Sequence, residues 1–171
     1  EVDFDKLAHN YHALRGLAPA GTKYLGLVKA DAYGHGAVPV AKKLEELGAD
    51  YLGVACLDEA IEVREAGVKT PILILGCTSS IYAAELVKYN ITQACYDLEY
   101  AKELSAGAQK AGGTITVHIQ CDTGMTRLGF MCHEETMEKS ASEIIEAVKL
   151  PGLKAEGIFT HFSDSDGSEE Y

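Results

Sequence analysis

The chain is short of positive charge: 15 Lys plus Arg stand against 26 Asp plus Glu, a formal net charge of -11. That balance disfavours nucleic acid, whose affinity for proteins rests on Lys and Arg releasing counterions. It equally disfavours anionic membrane surfaces. No apolar run approaches the roughly 20 residues of a membrane-spanning helix. The opening EVDFDKLAHN has neither the basic nor the apolar segment of a secretory signal. The cysteines, Cys56, Cys77, Cys95, Cys121 and Cys132, contain no CxxC pair. An odd set lying partly in strand-like stretches reads as free, buried thiols in a reducing compartment, and the expected location is cytoplasmic. The GxGxxG fingerprint, the Walker lysine motif and HExxH are all missing. No linker or low-complexity stretch divides the 171 residues, a length suited to one domain.

What is there is alternation. Leu7, Tyr11 and Leu14 recur at helical spacing from Asp5, and Pro19 and Gly21 end that segment. KYLGLVKA then reads as a strand, followed past the AYGHGA turn by a helix over 38–47 with Gly48 as its C-cap candidate. YLGVA (51–55), PILILG (71–76), ITQAC (91–95), TITVHIQ (114–120) and EGIFTHF (156–162) are further strand candidates. Helices are expected between them: from Asp58 as cap to about Gly67, from Ser79 or Ser80 to Tyr89, from Asp97 to Lys110, and over 134–149. Short apolar strands separated by helices are the signature of a parallel α/β sheet. A doubly wound sheet and a (β/α)8 barrel both alternate in this way. Lys29, Gln120, Asp122, His161 and Ser163 fall at or just past strand ends, where a barrel gathers its chemistry, so the barrel is the favoured reading. A closed barrel takes about 250 residues. Roughly the first six βα units are therefore expected here, as an open sheet or as part of a larger protein. The terminal DSDGSEEY is expected to be an acidic loop.

Lys29 follows an apolar strand in GLVKADAYGHGA. A lysine reaching into an apolar cleft can have a lowered pKa, and its neutral amine can form a Schiff base with an aldehyde such as pyridoxal phosphate. A lysine snorkelling to solvent from a sheet rim has the same local sequence. Tyr33 could donate to a phosphate, and Gly34 and Gly36 would allow close backbone approach to an anion; an ordinary turn with a packed aromatic is equally open. In HIQCDTGMTRLG (118–129), Asp122 and Thr123 can fix a loop and Gly124 a sharp turn, while Arg127 offers planar donors or a surface ion pair. His118 and Gln120 alternate onto one strand face. They could face a barrel interior or form a hydrogen-bonded core pair. His161 could stack on a ring, act as base or ligand, or simply be satisfied by its neighbours. His118, His161 and Asp122 make only a weak metal set, and no metal site is expected.

VKADAYGHGA resembles the cofactor-lysine motif of the alanine racemase family, fold type III pyridoxal phosphate enzymes. HIQCDTGMTRLGF resembles the family's middle segment, GIFTHFSDSD its later segment, and EVDFDKLAHNYHALR its amino-terminal one. The resemblance thus spans essentially the whole chain with motifs in the family's order. It implies an N-terminal (β/α)8 barrel, here partial over 1–171, with the family's β-rich C-terminal domain absent. It implies homodimers that build each site from both subunits, a small amino acid as substrate, and D-alanine supply for the cell wall. By the same resemblance Lys29 would hold pyridoxal 5′-phosphate and move a proton on one face of the substrate. Tyr33 would contact the phosphate, Arg127 the phenolic oxygen, and His161 the pyridine ring. Met125 would meet the substrate carboxylate through its backbone. A tyrosine of the partner's second domain would serve the opposite face.

Gln120 departs from the family, which usually has a lysine, often carbamylated, at that position. A neutral amide there could still hydrogen-bond Arg127. Since one catalytic face would be empty, these 171 residues alone are expected to be nearly inactive. A non-catalytic pyridoxal phosphate carrier, a purely structural domain, and a racemase of serine or of broad specificity are the alternatives.

Overall fold

Residues 1–167 are described by a computed structural model, and they form two compact units, Glu1–Thr78 and the residues from Ser79 onward. In the first unit, Asp3 caps α1 (Phe4–Leu17): its Oδ1 accepts the N–H groups of Asp5 and Lys6 at 3.0 and 3.1 Å. That satisfies donors a helix start otherwise leaves unpaired. Tyr11, on the inner face of α1, meets the ring of Tyr24 edge-on at 4.9 Å. Asp50 anchors this corner, its Oδ2 accepting from Tyr24 N–H at 2.8 Å and from Arg15 Nη1 at 3.2 Å. Those donors, the Tyr24 N–H foremost, hold its carboxyl below the usual range.

Three strands follow, β1 (Leu25–Leu27), β2 (Tyr51–Val54) and β3 (Ile72–Ile74). They are parallel and sequentially adjacent, with Gly26 opposite Leu52 and Gly53 opposite Leu73. Leu52, Val54, Ile72 and Ile74 are fully buried, each contributing about 1.5–3 kcal/mol. A short segment, α2 (Lys29–Gly34), leads from β1 into α3 (Ala37–Glu46), whose Val40, Ala41 and Leu44 face the sheet. Gly26 lets α3 approach closely there: a Cβ would stand 2.6 Å from Leu44 Cδ1, so that side chain would have to shift. α4 (Leu57–Glu65) buries Ala60 and Val63. Its N-cap is Cys56, without a side-chain cap bond, and not Asp58, which lies within the first turn. On α3, Glu45 Oε2 accepts from Lys69 N and Thr70 N at 2.6 Å each, and from the Thr70 hydroxyl at 2.9 Å.

The second unit opens with a 3₁₀ turn (Ser80–Tyr82) and α5 (Ala83–Lys88) in place of one continuous helix. β4 (Thr92–Cys95) is buried throughout. Asp97 caps α6 (Leu98–Lys110), accepting from Tyr100 N–H at 2.7 Å. β5 (Ile115–Asp122) is the central strand, parallel to β4 on one edge and to β7 (Leu153–Thr160) on the other. A two-residue strand absent from the sequence reading, β6 (Phe130–Met131), pairs with Cys121 and Asp122. Cys121 also pairs with Thr160 of β7, so β6 extends the β4 edge of β5. α7 (Met137–Ala147) is shorter than the predicted 134–149. β7 begins at Leu153, before the predicted 156, and shifts register by a bulge opposite Val117/His118.

All the cysteines are free, but Cys56 and Cys77 are exposed, Cys121 and Cys132 half-buried, and only Cys95 is buried. The expected buried thiols are thus corrected at two positions: strand ends open to solvent at Cys56 and Cys77. Burial pushes the Cys95 thiol up to about 12. Among the described residues no helix is long and apolar enough to cross a membrane. Asp164–Gly167 is irregular and exposed, and the remainder of the predicted acidic loop, 168–171, lies outside the described residues.

Candidate cofactor site

In the first unit the site grows from the end of β1. Val28 is fully buried, and Lys29 beside it is half-buried. Among the described residues the Lys29 amine has no hydrogen bond or ion pair. The next residues, Ala30, Asp31, Ala32 and Tyr33, have φ of 50–55° and ψ of 38–50°. They wind as a left-handed turn, which costs non-glycine residues about 1–2 kcal/mol each. Gly34 (φ 86°) and Gly36 (φ 91°) continue at positive φ, where glycine carries no such cost.

Surrounding bonds fix that geometry. Ala32 N–H returns to Val28 O at 3.0 Å, and Gly36 N–H to Asp31 O at 2.9 Å. Asp31 Oδ1 accepts the Ala37 N–H at the start of α3 at 2.7 Å. Glu59 Oε1 accepts the Ala30 N–H, and its Oε2 the Ala55 N–H, both at 2.7 Å. His35 Nδ1 lies 2.8 Å from Ala32 O. The turn leaves Tyr33 62% exposed, so among the described residues its ring is not packed in a core.

In the second unit Asp122 does the equivalent work at the end of β5. It is only 4% exposed, and its Oδ1 accepts from Gly124 N at 3.0 Å and Thr126 N at 2.9 Å. Burial alone would raise its carboxyl; those bonds, a third from Arg127 N–H and the nearby His133 hold it below the usual range. The loop that bears Met125 and Arg127 is therefore wrapped around a carboxylate. Thr160 Oγ1 donates to Cys121 O at 2.9 Å, so the Thr123 hydroxyl donates to Thr160 Oγ1 across 2.7 Å. This chain of bonds joins the loop to β7 next to His161. The structure thus brings Met125, Arg127 and His161 to the C-terminal ends of neighbouring strands.

His161 is exposed, with Nδ1 2.7 Å from Phe162 O. Arg127 is exposed, and among the described residues no side chain pairs with its guanidinium. Arg127, Asp122, Thr126 and Met131 line a cleft of about 420 Å³ with Tyr96 and Asp97. A groove of about 480 Å³ beside α1 contains none of the named site residues.

Gln120 is 5% exposed and its Oε1 has no partner among the described residues. The hydrogen bond to Arg127 open to it from sequence is not formed: Gln120 is buried within β5, whereas Arg127 sits on the exposed loop beyond. His118 is half-buried on the same strand, and burial lowers its pKa, with Glu156 opposing.

Each unit by itself offers groups that fit part of an aldehyde-bearing phosphate cofactor. Among the described residues, the first has an unpaired Lys29 amine suited to an aldehyde and an exposed Tyr33 with glycine-flanked backbone suited to a phosphate. The second has an exposed Arg127 guanidinium suited to an oxyanion and an exposed His161 imidazole suited to a ring. Sequence reasoning missed Glu59 and the capping by Asp31. A signal for Glu59 existed: Cys56-Leu-Asp-Glu59 has the spacing of a capping box, with cysteine in place of serine or threonine.

Residues 2–171 match the family model described as alanine racemase, N-terminal domain. An alanine racemase of Clostridium perfringens is 45% identical over 170 residues, covering 99% of this chain and 43% of that protein. The solved alanine racemase of Clostridium difficile 630 in complex with cycloserine superposes with a TM-score of 0.91 at 44% identity, covering 98% of this chain and 45% of that one. A histidine racemase from Leuconostoc mesenteroides subsp. sake superposes with a TM-score of 0.82 at 29% identity, covering 97% and 43%. The chain thus spans less than half the length of the relatives it matches. The α/β expectation and the barrel class are borne out, with part of the barrel's βα units represented here.

Proposed function

We propose, from the premise that this chain belongs to the family of alanine racemase N-terminal domains, that the protein carrying it interconverts the L and D forms of a small amino acid, alanine foremost, using pyridoxal 5′-phosphate. Residues 1–171 would be part of its cofactor-binding barrel. The observation that carries the reading is Lys29: a half-buried lysine whose amine has no partner among the described residues, followed by a left-handed turn of four non-glycine residues. When bound, the cofactor draws electrons from the substrate's α carbon and acidifies its C–H bond.

The chain's own residues do the rest. Lys29 Nζ would hold the cofactor's aldehyde carbon and would be the amine that takes or returns the Cα proton on one face. Proton transfer by a placed group contributes about 10²–10⁴-fold. The Tyr33 hydroxyl would donate to the phosphate. The Arg127 guanidinium would donate to the cofactor's phenolic oxygen, and charge-assisted bonds of this kind are roughly twice as strong as neutral ones. The His161 imidazole would pack on the ring. The Met125 backbone orients the substrate carboxylate, its position set by the Asp122-centred loop. The opposite face requires a second acid–base group, which the resemblance places on the partner subunit of a homodimer.

The test is borohydride reduction of the whole protein with pyridoxal 5′-phosphate, followed by peptide mass analysis and assay of D-alanine formed from L-alanine. Labelling is expected at Lys29, and Lys29→Ala is expected to lose both label and turnover. Labelling at another lysine would overturn the assignment. Label at Lys29 without Cα-proton exchange would favour a carrier. Because a histidine racemase shares this fold, the turnover assay includes serine and histidine.

A further inference from the structure

We propose that Glu59 is a positioning residue for Lys29, an inference that rests on Lys29 being the cofactor lysine. The Ala30–Tyr33 segment, Ala-Asp-Ala-Tyr, contains no glycine, yet all four residues hold positive φ. Its own preference is right-handed, so contacts from elsewhere must decide the hand. At the far end of the segment the constraint is local: Asp31 accepts from Ala37. At the near end, beside Lys29, it comes from another element. The Ala30 N–H is bonded at 2.7 Å to Glu59 Oε1, 29 positions away on α4.

Capping does not account for this arrangement. Fixing the entry to α4 needs one carboxylate oxygen, and Oε2 already bonds the N–H of Ala55, the residue before the N-cap Cys56, at 2.7 Å. The second oxygen crosses to the β1 turn. One rigid carboxylate therefore ties the residue after Lys29 to the end of β2, while Val28, fully buried and bonded through its N–H to Gly53 O at 2.9 Å, fixes the residue before it. Lys29 is held on both sides. With Glu59 gone, the Ala30 N–H has no acceptor, the turn can relax toward right-handed backbone, and the direction in which the Lys29 side chain leaves the strand is released. An amide cannot substitute, because it has one accepting oxygen and would point its N–H₂ at a second donor.

The experiment uses the whole protein as wild type, Glu59→Gln, Glu59→Asp and the control Glu45→Gln. Glu45 makes a comparable set of carboxylate-to-backbone bonds, but to Lys69 and Thr70. Each protein is mixed with pyridoxal 5′-phosphate and borohydride below its melting temperature. The amine condenses with the aldehyde, releasing water, and borohydride delivers hydride to the C=N carbon. The rate of trapping at Lys29 relative to all other lysines is read by peptide mass, across pH, together with amide hydrogen exchange at residues 30–33.

Glu59→Gln is expected to lower the Lys29 share at least ten-fold and to speed exchange in the turn. Glu59→Asp, which keeps the charge but is one methylene too short to span both N–H groups, moves the same way and serves if Glu59→Gln does not fold. Glu45→Gln loses stability and leaves both readouts unchanged. Equal Lys29 trapping and an unchanged pH profile in both Glu59 variants would overturn the positioning role while leaving the cofactor lysine intact. Wild-type protein that is never trapped at Lys29 would overturn the functional reading, and this inference with it.

Discussion

Substituting Gly129 by alanine tests how the Arg127 loop is closed. Asp122 gathers the loop at its start, and Gly129 ends it by lying flat on the backbone of β5. A Cβ at Gly129 would stand 2.5 Å from Asp122 N, 2.7 Å from Cys121 C and 3.0 Å from Gln120 O. The shortest of these is about 1 Å inside ordinary van der Waals contact. The atoms it meets are backbone of a central strand paired on both edges, so no side-chain rotation relieves them. Its φ of 137° adds a conformation that L residues avoid.

Backbone strain of about 1–3 kcal/mol and overpacking of about 1–3 kcal/mol combine to roughly 4 kcal/mol, a large share of the 5–15 kcal/mol typical of a domain. At a urea slope of about 2 kcal/mol per molar, the midpoint should fall by about 2 M. Far-UV circular dichroism is the natural probe, since the sequence has no tryptophan. Gly112→Ala is the control: Gly112 has φ 68° but nothing within 4 Å of a Cβ. It should show only the conformational cost, about 1 kcal/mol. If Gly129→Ala unfolds at the same urea concentration as Gly112→Ala, the close approach of β6 to β5 is refuted.

Asp122→Ala should strand the N–H groups of Gly124 and Thr126 and cost about 2–4 kcal/mol, with weaker retention of pyridoxal 5′-phosphate measured by dialysis. Because the Asp122 carboxyl is held below its usual range, its contribution is complete above about pH 4 and is lost as pH falls through the lower folded value; thermal melts of Asp122→Asn should show a shallower acid slope than wild type, and an identical slope would refute the assignment. His118 is pushed the opposite way for a base: burial disfavours its charged form, so stability should fall as pH drops below about 6.5, and His118→Gln should remove that slope in pH-dependent melts. Gly157→Ala would bring a Cβ to 3.0 Å from the His118 ring and should cost about 1–3 kcal/mol; a double-mutant cycle with His118→Ala should recover most of it, and strict additivity would place the strain elsewhere.

The alternation of apolar runs with 3.6-periodic segments was enough to place the main strands and most helices, because burial on one face and chain punctuation by Gly, Pro and capping Asp act over a few residues. Asp97 is such a case: its carboxylate bonds the N–H of a residue three positions on. The motif resemblance likewise singled out Lys29, Tyr33, Met125, Arg127 and His161 as candidates, and within the second unit the last three lie at or just past adjacent strand ends. β6 escaped because two residues carry no periodicity; its existence depends on Gly129 letting one backbone lie against another. Asp58 looked like a cap but was displaced by Cys56, since helix α4 begins where β2 delivers the chain. Gln120 and Arg127 are seven positions apart, yet one is sealed in the sheet and the other faces solvent. The hand of the Lys29 turn shows the division best. Ala-Asp-Ala-Tyr prefers one sense locally, and it takes the other within a set of bonds that includes one from a carboxylate 29 positions away. Sequence alone determined what chemistry the chain carries, because side-chain identity is local; the tertiary structure decided how that chemistry is aimed, because the bonds that overrule backbone preference come from distant residues.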